Sequence, residues 1–388
     1  MRQSKRLAGS AGIIGAVAAA AVPIVLAGGV ASASAVAPAL SHRTFVSPHG
    51  KPGHGDFSCA TAAFSSIQAA VNATASRGQV IVCRGSYRQD VTVTKRLTLI
   101  GYRGAEINAK GRPYGVGLAH SYSAVVGLTV KNATVNTKAG WPGDGILTAG
   151  FVAGKPVASN HDVIRHDITL LNQGAGIDLN STSWSVAASN TSIRNGVGIN
   201  LSNDLGKPDA HNIVRYNNAS YNPGGCGVAL ADHTGAGVFR NLITRNVLDG
   251  NGLGTPSRPN ASAGSGVILA AAGTKGGVWD NVISENRMSG NGHGGVAMHV
   301  HMKGPKFYGN RVVRNSIGRN NLRTDYADRA TTGIYLGSAG LSSITVKYNL
   351  ITNNRIGIFA AGRVVVHDWR LNAFRHVRRH LVRYPKFQ

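Results

Sequence analysis

Along most of the chain, apolar residues alternate with polar or small ones over three to five positions and then stop at Asn or Gly. "NLITRN" (Asn241 to Asn246) and "GVILA" (Gly266 to Ala270) are typical. A period of two predicts short strands, and the Gly and Asn interruptions leave no room for a long helix. The stops are themselves periodic. "NLITRNVLDGNG" places Asn241, Asn246 and Asn251 five residues apart, and the offsets recur at Asn212, Asn217 and Asn222. They return at Asn281, Asn286 and Asn291 and at Asn310, Asn315 and Asn320. "DVIRHDITLLN" fills them with Asp162, Asp167 and Asn172, and "SVAASNTSIRN" with Ser185, Asn190 and Asn195. Asn349 and Asn354 close a series of seven units, whose starts lie 23, 27, 29, 40, 29 and 39 residues apart. That is the mark of a coil of about 22 residues carrying insertions.

Short strands joined by tight turns and repeated coil on coil describe an all-β solenoid, a single-stranded parallel β-helix. Most units run on into a Gly-rich turn and an apolar strand, as in "GAGIDL", "GVGINL" and "GCGVAL". Aligned, these strands give an inward column of Ile177, Ile199, Val228, Val267, Val296 and Ile334. A second column holds Leu179, Leu201, Leu230, Leu269, Met298 and Leu336. Coils about 4.8 Å apart stack equivalent corners, so asparagines at one corner form a hydrogen-bonded ladder. Asn is also expected to adopt the left-handed backbone conformation of the corner itself.

The ends read differently. In residues 1–35 a basic start (Arg2, Lys5, Arg6) precedes an apolar run from Leu7 to Val30 and then "ASASA". This is a signal peptide cleaved after Ala35, with a membrane anchor as the competing reading. A secreted, extracellular protein with no transmembrane segment in its mature chain is expected. Residues 36–56 read as a flexible leader, and 57–366 as the parallel β-helix with its N-terminal cap. "FSSIQAAVN" is an amphipathic helix with Phe64, Ile67, Ala70 and Val71 on one face, placed to cover the open N-terminal edge. Residues 367–388 read as a basic amphipathic C-terminal capping helix, with Leu371, Phe374, Val377 and Leu381 at helical spacing. Contact with a membrane surface or an anionic polymer is the sharper alternative for that segment.

Composition sharpens the picture in three ways. Aromatics are 6% of the chain against 51 glycines, which suits narrow, tightly turned coils. Net charge is +25, and +22 once the three basic residues at the start are removed. That balance favours an anionic polysaccharide or cell-wall polymer as partner; nucleic acid is not expected, and a monomer is. Of three cysteines, Cys59 and Cys83 bracket the first helix and strand and are expected to form a disulfide. Cys226, in "GGCGVAL", reads as a lone thiol with no activating His nearby in sequence.

"SSIQAAVN", "GQVIVCRGSYRQDVTV" and "LTLIGYRGAEI", followed by the Asn coils, resemble right-handed parallel β-helix repeat proteins of the pectate-lyase-like superfamily. The coils are also similar to those of periplasmic copper-handling accessory proteins of nitrous oxide reduction, and the opening is similar to that of pectin methylesterases. The methylesterase block that carries a catalytic Asp, G-x-x-D-F-I-F-G, is absent. The resemblance covers nearly all of the chain after residue 35 and implies the fold; one fold hosts many chemistries.

Five residues beyond the first inward column stand Thr182, Asp204, His233, Ala272, His301 and Ala339. Asp204 and His233 are therefore expected to pair across adjacent coils. An Asp-oriented His that abstracts the proton α to a uronate carboxylate is lyase or epimerase chemistry. Its catalytic candidates are Asp204, Asp232, His233 and Lys303. Arg258, Arg323, Tyr326 and Arg329 lie on two insertions at the same corner and are candidates to line a substrate cleft. His299 and His301 in "MHVHM" are a weak transition-metal pair, His299 facing outward by strand alternation. Asp204 and Asp232 with nearby His are a weak Ca²⁺ set, so the cofactor stays open between Ca²⁺ and a transition metal. A hydrolase with paired carboxylates fits least well, because the insertions leave the distance between Asp178 and Asp204 undetermined. Three functions stay in view. The first is a secreted β-helix protein engaging anionic polysaccharide, with lyase or epimerase activity as the enzymatic option. The second is a non-catalytic wall or matrix polysaccharide-binding protein, and the third a copper-handling protein.

Overall fold

The computed structural model describes residues 41–53, 55–140, 142–254, 264–323 and 330–387. The signal peptide expected in 1–35 lies outside them. Each coil has three sides. One coil takes Ala175–Asn180 on the first side, Val186–Ala188 on the second and Thr191–Ile193 on the third. The chain then enters the next coil at Val197–Ser202. Strands pair in parallel with their equivalents one coil before and after, as Ala175–Asn180 does with Asp144–Leu147 and with Val197–Ser202. A short fourth ribbon of Asp209–Ala210, Val238–Phe239 and Val278–Trp279 lies along the middle coils. The register places both expected inward columns as aligned, one residue per coil, and every member is buried. The core is thus a stack of aliphatic layers, and the residues between the columns face outward on the first side.

Three asparagine ladders run along the three corners, and their side chains are buried. Asn217 shows the bonding. Its backbone N–H donates to Asn246 Oδ1 at 2.9 Å, and its Nδ2 donates to that same oxygen at 3.0 Å and to the Ala187 carbonyl at 2.9 Å. One side chain thereby ties three coils together and satisfies backbone groups that a strand ladder cannot reach at a corner. The left-handed residue, however, is at most corners the one before the Asn. His211, Tyr216 and Tyr221, at φ 60°, 57° and 58°, precede Asn212, Asn217 and Asn222. The Asn side chain has to turn inward to reach both neighbouring coils, so the preceding residue makes the bend with its own side chain outside. The strain of about 1–2 kcal/mol per residue is offset by amide bonds made away from water.

The last unit is also registered differently. Asn315 N–H donates to Asn349 Oδ1 and Asn320 N–H to Asn354 Oδ1, a spacing of 34. Asn349 and Asn354 therefore extend the second and third ladders, and Asn372 extends the second once more.

Both ends depart from expectation in detail. The N-terminal cap is the helix Ile67–Ala73, with Ser66 as N-cap and Ile67, Ala70 and Val71 buried. Beneath it, Ser41–Val46 is a strand, where a flexible leader was expected. It pairs in parallel with Thr74–Val82 and buries Thr44, Phe45 and Val46. Asp56 locks it by accepting from the amides of Phe45 and Ala63. Cys59 and Cys83 form the expected disulfide, with Cα atoms 5.6 Å apart. At the other end the capping element is made of strands, Ala373–Arg375 and Arg379–Tyr384, after a single 3-10 turn at Trp369–Leu371. The helical spacing loses there because Asn372 continues the corner ladder and the Ile358–Leu381 pairing continues the first side. Phe374, Val377 and Leu381 still pack on the core. No helix among the described residues is long and apolar enough to cross a membrane.

Candidate functional site

The outward face of the first side carries a groove of roughly 830 Å³. Its floor is built from outward residues of successive coils, among them Asp178, Asn200, Ala229 and Ile268, which share one register. One wall is an antiparallel hairpin, Ala149–Val152 with Lys155–Ala158, an excursion from the solenoid. Ala153 and Gly154 at its tip both have positive φ, as a two-residue hairpin turn of this hand requires. The hairpin presents Phe151 and Pro156 to the groove, and Phe151 stacks on Tyr114 with ring centres 6.0 Å apart.

The polar centre lies on two adjacent strands and the loops that follow them. Asn180 Nδ2 donates to Asp178 Oδ2 at 3.1 Å and to Asp204 Oδ2 at 3.0 Å, so one amide bridges the two carboxyl groups. Ser202 Oγ lies 2.8 Å from Asp204 Oδ2 and 3.4 Å from Asp178 Oδ1, and Asn200 Nδ2 donates to Asp178 Oδ1 at 2.9 Å. The expected Asp204–His233 pair is present, with Nδ1 2.5 Å from Oδ1 and both side chains half-exposed. Asn203 holds the His233 turn by accepting from the amides of His233 and Thr234.

The two carboxyl groups sit in opposite electrostatic conditions. Burial raises Asp178 well above the usual carboxylate range, helped by the charges of Asp144 and Asp204; the Asn180 and Asn200 amides pull the other way without compensating. Burial works against the charge of Asp204 too, but the hydrogen bond and charge of His233, with Ser202 and Asn180, outweigh it and hold Asp204 below its ordinary value. His233 is raised by its bond to Asp204, against partial burial. Asp144, which accepts from the Ala175 amide at 2.6 Å, is likewise raised by burial. The groove therefore sets Asp178, whose surroundings favour the protonated form, beside Asp204, whose surroundings favour the ionised form and which is paired with His233.

Of the described sequence candidates, Asp204 and His233 line this groove, as does Asp178, weighed above with Asp204 as a carboxylate pair. Asp232 is buried behind them, accepting from Asn203 Nδ2 at 2.5 Å, from the Gly235 amide at 2.8 Å and from the Gly277 amide. It shapes the turns that carry His233. Lys303 is exposed and is not part of the lining. Arg258, Tyr326 and Arg329 lie outside the described residues; Arg323 is described and donates its amide to the Gly292 carbonyl, away from the groove. His299 and His301 share the outward face, ring centres 5.7 Å apart, but His299 is packed against His293, Tyr335 and Phe387. Burial, with His301 adding to it, lowers His299 to about 4. Among the described residues no three His, Cys, Asp or Glu are gathered so as to hold a metal ion. Cys226 lines the groove floor as a buried free thiol pushed up to about 11 by burial, with the Ser265 amide donating to its sulfur. Asp144, Asn180 and the Phe151 hairpin were missed. The signal for Asn180 was its polar place just after the second apolar column, on the same alternation as Asp178, in "GIDLN"; for the hairpin it was "FVAGKPV", a strand–turn–strand pattern that breaks the coil period.

No protein-family model matches the sequence, and no curated protein matches it. The backbone is similar to three solved structures at low sequence identity. Pectate lyase Pel9A aligns over 84% of this chain and 77% of its own at 15% identity, with a TM-score of 0.51. The Agl-KA catalytic domain aligns over 90% and 69% at 13% identity, with a TM-score of 0.50. The enzymatically active domain of bacteriophage CBA120 tailspike protein 2 aligns over 78% and 43% at 11% identity, with a TM-score of 0.51. These likenesses identify the fold as the right-handed parallel β-helix of the pectate-lyase type.

Proposed function

We propose that the groove binds a polysaccharide and hydrolyses a glycosidic bond, with Asp178 as general acid and Asp204 as the ionised partner. One observation carries this reading: two carboxyl groups share the Asn180 and Ser202 donors while their surroundings drive their proton affinities apart. That division of roles is what glycoside cleavage needs. Asp178 gives its proton to the glycosidic oxygen as the bond to the anomeric carbon breaks. Because one amide spans the two carboxyl groups, Asp204 is close enough to attack the anomeric carbon as a nucleophile, and Asp178 then takes the proton of the water that frees the sugar. His233 positions Asp204 and keeps it ionised. Phe151 and Pro156 offer an apolar wall to the sugar faces. The similar structures are a pectate lyase, a catalytic domain and an enzymatically active tailspike domain, which agrees with an active groove on this scaffold.

A second reading, lyase or epimerase chemistry on a uronate polymer, draws on the Asp204–His233 bond. It is weaker on two counts. Among the described residues the groove lining contains no Lys or Arg to neutralise a uronate carboxylate, and the raised proton affinity of His233 leaves less of it in the free-base form that abstracts a proton.

A panel of neutral and anionic polysaccharides, assayed for new reducing ends and for absorbance from unsaturated ends, separates these readings. Hydrolysis gives the first without the second. Asp178→Asn and Asp204→Asn should each lower the rate by about 10²–10⁴-fold with binding retained. Activity should decline on the acid side as Asp204 protonates below the ordinary carboxylate range, and on the alkaline side as Asp178 ionises well above it. Unsaturated ends would replace hydrolysis by elimination, and binding without any cleavage would leave a carbohydrate-binding protein.

A further inference from the structure

A row of aromatic rings runs along the first corner, outside the groove. Tyr122, His161, Trp184, His211, Phe239 and Trp279 come from successive coils, with ring centres 4.6, 6.4, 4.2, 6.3 and 4.5 Å apart in that order. The His211–Phe239 contact is edge-on, and the others are stacked within 11° of parallel. The Arg96 guanidinium lies 5.5 Å from the Tyr122 ring centre and Lys306 Nζ 5.5 Å from that of Trp279, so cations cover both end faces. What the row shows to solvent is therefore a line of ring edges. Tyr122 and Trp184 are each 55% exposed, and His161 is exposed between them.

The backbone sets this row in place. Tyr122, His161, Trp184 and His211 hold the bend at φ 62°, 59°, 62° and 60°, which turns each side chain outside. The Trp184 amide donates to the Ala210 carbonyl at 3.1 Å and the His211 amide to the Phe239 carbonyl at 3.3 Å. Gly237, at φ 93°, leaves room for Trp279, because a Cβ there would run into the indole. The bend itself does not call for rings: at the second corner His166, Ser189, Tyr216, Arg245 and Glu285 make it equally well. Stacking ties neighbouring coils together, which accounts for the ring faces. It does not account for the edges. The Tyr122 hydroxyl, the Trp184 indole N–H and the ring nitrogens of His161 and His211 make no hydrogen bond to any described residue.

We infer that this ridge is a second binding site, distinct from the groove, for an extended neutral polysaccharide. A rise of about 4.8 Å per coil sets one ring edge at each step. Every step offers an apolar edge, and the first four add an open polar atom. One sugar unit of an extended chain is of similar length and combines apolar C–H groups with hydroxyls. An extended peptide advances about 3.3 Å per residue and stacked bases about 3.4 Å, so neither keeps step with the rings. The row holds no permanent charge between its two end cations, and Arg240 and Asp280 beside it pair at 4.0 Å, so a polyanion gains little there. The choice of a polysaccharide rests on the function proposed for the groove. On adjacent coils the chain passes from groove to ridge, from Asp204 to His211 and from His233 to Phe239. A polymer held on the ridge is kept beside the carboxyl groups that would cut it.

The test measures binding of neutral polysaccharides and of polyuronate by calorimetry, on the full chain carrying Asp178→Asn so that no polymer is cut meanwhile. Adding Trp184→Ala/His211→Ala should weaken neutral-polymer binding about tenfold. Polyuronate binding, which the net charge drives, should stay within about twofold. Tyr216→Ala removes an exposed ring from the second corner and should leave neutral-polymer binding within about twofold. If the double change prevents folding, Trp184→Phe and Tyr122→Phe decide: they keep the rings, lose only the edge donors, and should each weaken binding about threefold. Neutral-polymer binding that is absent, or that survives the ridge changes in a folded variant, would overturn the proposal, as would an equal loss of polyuronate binding. Self-association abolished by the same changes would make the ridge a contact between copies and overturn it too. The hydrolase reading fails separately, if the unmodified protein binds neutral polymer and cuts none.

Discussion

Asp167 stands where the second ladder elsewhere has Asn, and that exchange has a calculable consequence. Its Oδ1 accepts from the Leu128 amide at 2.7 Å, and its own N–H donates to Asn190 Oδ1 at 2.9 Å. One coil on, Asn190 uses the second arm of its amide to donate to the Ile164 carbonyl and to Asn217. A carboxylate has no such donor, whereas a protonated carboxyl group does. Burial raises Asp167 from 3.8 to about 8, against the pull of backbone donors. As pH rises from about 4 towards 8, the unfolded chain gives up this proton and the folded chain keeps it. The folded state then binds more protons, so stability falls across that window and is level on either side. At 1.36 kcal/mol for each pH unit, the loss at pH 7 is on the order of 4 kcal/mol. Asp167→Asn restores the ladder donor and cannot ionise, so it should match the parent at pH 4 and exceed it increasingly towards pH 8. Urea midpoints for both proteins at several pH values across that window are the measurement. A difference that does not change with pH would refute the ionisation argument, and a variant less stable at pH 8 would refute the ladder argument as well.

Two further outcomes test the scaffold. Asn246→Ala removes the bridge between Asn217, Val214 and Asn286 and orphans buried partners on both neighbouring coils. It should cost about 2–4 kcal/mol, read as a lower urea midpoint with accelerated hydrogen exchange in the coils it ties. Replacing Cys59 and Cys83 by Ser opens a loop with a sequence separation of 24. It should destabilise the N-terminal cap by about 3 kcal/mol while groove-dependent binding persists, as differential exchange and a binding assay would show.

The solenoid was legible in the sequence because its period is written in the most constrained residues. Every buried ladder Asn must bond to both adjacent coils, so few substitutes are tolerated and five-residue offsets survive. The residue that makes the bend was not legible. His166, Ser189, Tyr216, Arg245 and Glu285 all hold positive φ at equivalent corners, yet they share no chemistry, because the ladder beside them supplies the energy and their side chains point outside. The C-terminal strands were hidden for a different reason. Leu371, Phe374, Val377 and Leu381 satisfy a helical period by coincidence, and only the Asn372 ladder position betrays another coil.

The site divides along the same line. Asp204 and His233 could be paired because each follows an aligned strand by a fixed offset. Asp178 faces outward within such a strand, and its partnership with Asp204 depends on the path of the loop after Ser202, which no period describes. Net charge misdirects in a related way. A total of +25 suggests an anionic ligand somewhere, but a field screened within about 8 Å cannot assign that ligand to a particular surface. The local residues bear on it: the groove gathers Asp144, Asp178 and Asp204. What the groove accepts follows from its own carboxyl groups and apolar wall, not from the net charge of the chain.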